Sequence, residues 1–339
     1  MQQIWIPKIG DPEVLEIREA PDPIPGPGKV RIQVEAAGVN FADLLARMGL
    51  YPDAPSLPVV VGYEVAGKID AVGEGVSEER IGEDVVCMTR FGGYSSAVVV
   101  RSELAGKRPE GLDAVTAAAI PVTGLTAWMM LEVMGRVRAG DRVLVHSAGG
   151  GVGLMALDLI KRRGATAIGT ASAHKHEALY ARGYDQLIDY RNEDWAATLS
   201  EDEGLDLILD AIGGDYWEKG LHALRAGGRL VCFGFSSNAA GTKRNVFKTA
   251  GNLWAVPWRK FNPIWLINHN VGVLGVNMGH LWHEQERVAS WLEELLGIWK
   301  TGELRPLVHA TVPFDRAAEA HQILHDRANI GKVVLTPVR

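Results

Sequence analysis

Residues 143–153, VLVHSAGGGVG, decide the fold. An apolar run stops at His146, the pattern Ala148-x-Gly150-x-x-Gly153 follows, and an apolar periodicity begins. Val152, Met155, Ala156, Leu159 and Ile160 stand at i, i+3, i+4, i+7 and i+8, one face of a helix. Glycines let the backbone turn sharply and approach a pyrophosphate, and the helix start offers it free N–H groups and a partial positive charge. With a strand before it and an amphipathic helix after it, the pattern reads as a dinucleotide loop rather than a plain tight turn. Its candidate residues are Ala148, Gly150, Gly151, Val152 and Gly153.

Outward from the loop, strands and helices alternate: RVLVHS, ATAIGT, QLIDY, LDLILD, GRLVCFG, and VGVLGV at 271–276 as a sixth strand. One helix between successive strands implies a doubly wound parallel sheet with right-handed crossovers. An acid that reads the ribose belongs about 20 positions on, at the end of the second strand. The sequence there is Gly169-Thr170-Ala171-Ser172-Ala173-His174-Lys175, with no Asp or Glu. Ser172 and Lys175 suit a 2′-phosphate, so NADPH is expected over NADH, and Thr170 is counted among the cofactor-binding residues. The plainer reading of Lys175 is a solvated lysine at a helix start.

The N-terminal 120 residues read differently. Val30–Ala37 alternates, and short apolar runs at Val59–Val61, Val65–Val72, Val85–Met88 and Ala97–Val100 are punctuated by Pro and Gly, as short strands are. Near the C-terminus a helix at about Glu284–Thr301 leads to two strands, His309–Val312 and Lys332–Thr336, which have no partner in the parallel sheet. Their return to the N-terminal part would close it.

Composition bounds the function. A chain of 339 residues suits about two domains. A net charge of −6, with 22% charged against 47% hydrophobic residues, argues against disorder and against nucleic acid as partner. Cys87 and Cys232 are too few for a disulfide framework or a four-cysteine zinc site. The uncharged apolar stretches Val143–Leu157 and Ile120–Leu131 fall short of a membrane span of about 20 residues. The start, MQQIWIPKIGDPE, lacks a secretion-signal pattern, so a cytoplasmic location is expected.

Four segments, GVNFADLLARMGLYP (38–52), VVVGYEVAGKIDAVGEGV (59–76), AAAIPVTGLTAW (117–128) and HSAGGGVG, resemble in order and spacing the medium-chain dehydrogenase/reductase superfamily. Within it the chain is similar to the quinone oxidoreductase branch that includes zeta-crystallin. GTKRNVFKTAGNLW (241–254), GVNMGHL (275–281) and NIGKVVL (329–335) resemble that branch's vesicle amine transport protein subgroup. The resemblance spans essentially the whole chain. It implies a GroES-like β-rich catalytic domain, 1–122 and 278–339, and an inserted Rossmann domain, 123–277.

Zinc alcohol dehydrogenases of the superfamily carry a cysteine ligand where this chain has Asn40, and a Gly-His-Glu ligand motif that reads Gly62-Tyr63-Glu64 here. Their cysteine-rich lobe is missing between Gly82 and Val100. The resemblance therefore implies zinc-independent transfer of hydride from NADPH to a small electrophile, a quinone or an α,β-unsaturated carbonyl, and by family habit a homodimer. It puts Asn40, Asp43 and Tyr51 near the nicotinamide and substrate. Tyr51 is the candidate general acid or oxyanion donor, against a pocket-lining ring with water as proton source. Asn40 would orient ribose or substrate; Asp43 also reads as hydrogen-bonded structure. The resemblance puts Thr126, Tyr190, the Phe233-Gly234-Phe235 backbone and Asn277 around the cofactor. Lys332 would reach its phosphates or be solvated.

His321 and His325, four apart on a helix, read as surface histidines, and the cluster His280, His283, Glu284 lacks the second histidine of H-E-x-x-H. Trp254, Trp258 and Trp265, beside Lys243, Arg244, Arg259 and Lys260, would line a cleft or dimer contact; otherwise they meet a membrane or lipid. The latter would make the chain an NADPH-binding protein with weak catalysis.

Overall fold

Along the chain, two short strands come first, β1 (Gln2–Trp5) and β2 (Glu16–Glu19), paired as an antiparallel ribbon. This is a computed structural model, and it describes residues 1–200, 204–234 and 261–338. Next come β3 (Lys29–Val39), helix α1 (Phe41–Arg47), β4 (Glu64–Val72), β5 (Asp84–Met88), β6 (Ala97–Arg101) and β7 (Gly106–Lys107). β3 is the hub. It pairs antiparallel with β4 along one edge and with β6 along part of the other. Its alternate residues Val30, Ile32 and Val34 enter a core with Val65, Ile69, Val85 and Val98. Burying each such side chain is worth about 1.5–3 kcal/mol.

Val59–Val61, expected as a strand, is not one. Val59 exchanges both backbone hydrogen bonds with Ile6 as an isolated bridge, and Gly62, at φ +99°, turns the chain before a ladder can extend. The three valines are buried all the same, which is why they are apolar.

A helical stretch over Ala114–Met134 contains α2 (Ala114–Ala117) and α3 (Pro121–Trp128). Contrary to the sequence reading, it is long and apolar enough to cross a membrane, with a mean hydropathy of 1.6, but 61% of that window is buried inside the protein. Its apolar length is that of a core helix.

The parallel sheet follows: β8 (Arg142–His146), α4 (Gly151–Arg162), β9 (Thr166–Ala171), α5 (His176–Arg182), β10 (Gln186–Asp189), α6 (Trp195–Ser200), β11 (Leu205–Asp210), α7 (Asp215–Ala223), β12 (Leu224–Cys232), α8 (Pro263–His269) and β13 (Gly272–Gly275). The strand order is β10-β9-β8-β11-β12-β13, all parallel. The order reverses between β8 and β11, so the crevice beyond the C-terminal end of β8 is the topological switch point where such sheets bind nucleotides. α4 is not the one-faced helix that its spacing suggests: every residue from Gly153 to Ile160 is buried.

After α9 (Gln285–Lys300), the chain returns through β14 (Val308–Pro313), α10 (Ala317–His325) and β15 (Lys332–Thr336). β15 pairs antiparallel with the end of β3, and β14 pairs with β15, completing a seven-stranded sheet. The chain thus divides into two units, Met1–Leu125 with Met278–Arg339, and Thr126–Asn277.

Candidate active site

In the Thr126–Asn277 unit the site grows from the end of β8. Ser147 takes a left-handed φ of 59°, Gly150 N–H donates to Ser147 O, and Ala148 N–H donates to Thr170 O on β9. These bonds fold the loop back on the sheet and start α4 at Gly150, an N-cap with no side chain of its own. A Cβ at Gly153 would stand 2.5 Å from Ala148 O, so only glycine lets the first helical turn lie this close to the loop. The first-turn N–H groups are thereby aimed past bare backbone at the position a pyrophosphate would take.

Ser172, Lys175 and Tyr190 gather beside it. Ser172 Oγ donates to Tyr190 Oη at 3.4 Å, joining the ends of β9 and β10. Lys175 is buried rather than solvated, and its Nζ lies 3.9 Å from where a Cβ on Gly149 would be. A cation, a hydroxyl and a phenol thus meet a loop of backbone donors, a set that fits a phosphorylated dinucleotide. Asp189, the nearby acid, is occupied: its oxygens accept from Arg191 N–H and Asn192 Nδ2. Thr170 turns away from the loop, its Oγ1 meeting His146 Nδ1 at 3.0 Å. His146 is enclosed by Trp195 and Tyr216, and burial drives its pKa down to about 3. Thr126 is half-buried in α3, Phe233 and Gly234 follow β12 half-buried, and Asn277 is exposed beyond β13. Phe235 lies outside the described residues, as do Trp254, Trp258, Lys243, Arg244, Arg259 and Lys260. Trp265 is described: it stacks on His269 with centroids 3.9 Å apart.

The other unit holds a buried polar cluster. Lys332 Nζ lies 2.5 Å from Glu64 Oε1 and donates to Asn40 Oδ1, also at 2.5 Å. Asn40 Nδ2 donates to the same Glu64 oxygen at 2.8 Å, while Glu64 Oε2 accepts from Val122 N–H at 2.7 Å. Lys332 and Glu64 are 4% and 0% exposed, so the lysine is not solvated and its ammonium is neutralised within the protein. Both ends of the Asn40 amide are likewise spent inside. Gly38 makes room: a Cβ there would sit 2.4 Å from Glu64 Oε1.

Asn40 also begins α1, where its N–H donates to Asp43 Oδ2 at 2.8 Å. Asp43 is fully buried; Oδ1 accepts from Gly62 N–H and Oδ2 also accepts from Tyr94 Oη. Burial pushes its pKa up to about 7. Tyr94 Oη meets His321 Nε2 at 3.1 Å. His321 is therefore not a surface histidine. It is fully buried, and burial holds its pKa near 3. The sequence signal was present, since Ala317, Ala320, His321 and Leu324 share one apolar face of α10.

Tyr51 is half-buried against Tyr63, ring centroids 6.2 Å apart at 83°, and burial raises its pKa. Two residues on, Asp53 Oδ2 pairs with His280 Nε2 at 2.8 Å. Tyr63, missed as a site residue, packs in turn on Phe91 at 5.1 Å.

A β-rich unit built from both ends of the chain, interrupted by a parallel sheet with a dinucleotide loop at its switch point, defines a two-part GroES-like and Rossmann oxidoreductase fold. Residues 26–110 match the alcohol dehydrogenase GroES-like domain family, and 182–335 match a family described as zinc-binding dehydrogenase. The chain is 39% identical over 328 residues to the rat synaptic vesicle membrane protein VAT-1 homolog, covering 95% of this chain and 80% of that protein. It is 32% identical to a quinone oxidoreductase of Pseudomonas aeruginosa, covering 99% of each. The structure of Escherichia coli quinone oxidoreductase complexed with NADPH superposes with a TM-score of 0.86 at 30% identity, covering 99% of this chain and 100% of that one. The chain belongs to the medium-chain dehydrogenase/reductase superfamily, in the VAT-1 subgroup of its quinone oxidoreductase branch.

Proposed function

We propose that this chain is a zinc-independent reductase that takes hydride from NADPH and delivers it to a quinone or to the activated C=C of an α,β-unsaturated carbonyl. The Asn40–Glu64–Lys332 cluster carries the reading. Where zinc dehydrogenases of the superfamily offer thiolate and imidazole, this chain has the amide of Asn40 and the phenol of Tyr63, and the carboxylate of Glu64 already neutralises a buried ammonium. A zinc ion at Glu64 would have to compete with Lys332, which already pairs with that carboxylate in a buried site. The residues do not fit the metal. Among the described residues no group of three His, Cys, Asp or Glu is placed to hold an ion.

Hydride reduction of a conjugated acceptor needs no Lewis acid if the developing oxyanion meets a donor. Bound NADPH supplies the hydride. The Gly150–Gly153 turn would hold its pyrophosphate, and Ser172, Lys175 and Tyr190 its 2′-phosphate. That a relative of similar fold is described in complex with NADPH supports this choice. Tyr51, kept protonated because burial raises its pKa, gives a proton to the acceptor oxygen. NADPH oxidation across ortho-quinones, para-quinones, enones and 2-alkenals, with EDTA present and metal content measured, tests the reading. Turnover that survives in metal-free protein supports it; turnover that tracks bound zinc rejects it.

We place the enzyme in the cytoplasm, in keeping with its two free thiols, and as a homodimer, which light scattering checks. A second reading rests on Ile264 and Ile267, which stand 64% and 67% exposed on α8: an NADPH-binding protein that engages lipid. Flotation with acidic liposomes in the absence of NADPH turnover would favour it.

A further inference from the structure

We propose that Tyr63 is a positioning residue for proton delivery: its hydroxyl donates to the Tyr51 oxygen as that oxygen gives up its proton. The inference rests on the reading of Tyr51 as the acid. Tyr63 is 6% exposed, and its Oη is buried with no hydrogen-bond partner among the described residues. A buried, unmatched hydroxyl costs stability that phenylalanine at the same place would not. The ring stands edge-on to Tyr51, and its backbone cannot wander. Gly62 N–H on one side is tied to Asp43, Glu64 on the other to Lys332, and Tyr63 O accepts from Thr89 N–H at 2.8 Å. Phe91 closes the far side with φ at 139°, where residues other than glycine seldom sit and where strain marks functional ground.

The chemistry explains the need. Hydride addition leaves an enolate or quinol oxygen; Tyr51 passes its hydroxyl proton there, retains the O–H electron pair as a phenolate, and regains a proton from water. The charged groups acting on Tyr51 are the carboxylates Asp53, itself paired with His280, and Asp43, and both disfavour a phenolate. A hydrogen bond from Tyr63 is the contact that would favour it. Its own proton stays put, because burial and the same carboxylates raise its pKa further than that of an ordinary phenol.

The test is a double-mutant cycle on enone reduction by NADPH, with Tyr63→Phe, Tyr51→Phe and the pair; both changes keep the ring, and thermal unfolding checks the fold. Tyr63→Phe should lower kcat roughly tenfold to a hundredfold, the worth of one hydrogen bond to a charged oxygen. KM for the enone and the Kd for NADPH should hold. In the Tyr51→Phe background the same change should cost nothing more. An equal loss in both backgrounds, or none in the native one, overturns the proposal while leaving Tyr51 as the acid. Unchanged turnover in Tyr51→Phe overturns both.

Discussion

The dinucleotide loop and the Asn40 cluster both prepare a folded interior for charge, and they do it with different materials. The loop uses backbone. Its N–H groups, its left-handed Ser147 and its close-packed Gly153 come from one contiguous stretch, and its charge chemistry is a helix end. The cluster uses side chains from two strands and the start of a helix. Asn40 and Glu64 are 24 positions apart and Asn40 and Lys332 are 292 apart, joined only because β15 returns to β3. A backbone site can be read as spacing, because spacing is its mechanism. A side-chain site exists only once the topology is known, and it fails when one partner is removed.

That contrast sets the largest expected effect. Lys332→Met leaves Glu64 buried and without its counter-ion, which should cost about 3–5 kcal/mol in urea unfolding. Adding Glu64→Gln should recover most of it. A loss below about 1 kcal/mol for the single change would mean that the two sites do not differ in kind. In the loop, the backbone carries most of the binding, so a side-chain change should alter selectivity more than existence. Lys175→Glu should weaken NADPH roughly tenfold to a hundredfold more than NADH, as titrated by fluorescence. Equal losses would move Lys175 from the 2′-phosphate to the shared pyrophosphate.

The smallest effect concerns protons. In the folded state burial holds His321 near 3, whereas unfolded it titrates near 6.5. The unfolded chain binds the extra proton between those values, so stability falls as pH drops from about 6.5 toward 3. His146 does the same in the other unit. Asp43 opposes them. Its folded pKa of about 7 lies above the ordinary 3.8, so its contribution falls as pH rises through that window. His321→Leu should therefore give a shallower fall in Tm between pH 6.5 and 5 than the native chain. An unchanged slope would show that His321 does not titrate in this window.

The same division explains what could be read in advance. Strands β8 to β13 were visible because each is an apolar run bounded by helix-period sequence, and the loop was visible because its glycines do the work. The closure of the first sheet by the C-terminal strands followed from their lack of a partner elsewhere. Val59–Val61 misled because burial in a loop and burial in a strand demand the same residues. α4 misled because its helix is covered all round, so its apolar face has no edge. Tyr63, Tyr94, His321 and the pairing of Lys332 with Glu64 were illegible as a group: nothing local in a valine-rich strand says that its lysine meets a glutamate on a strand two positions across the sheet.

The central claim is metal-free hydride transfer, and its most direct measurement follows the hydride itself. The protein, stripped with chelator and verified free of zinc, is given NADPH deuterated at the transferable nicotinamide position and an enone, and the product is examined by mass spectrometry. The account predicts deuterium at the β-carbon of the saturated ketone, at a rate unaffected by added zinc. Tight NADPH binding with no label in any product, or label that appears only when zinc is restored, would contradict it.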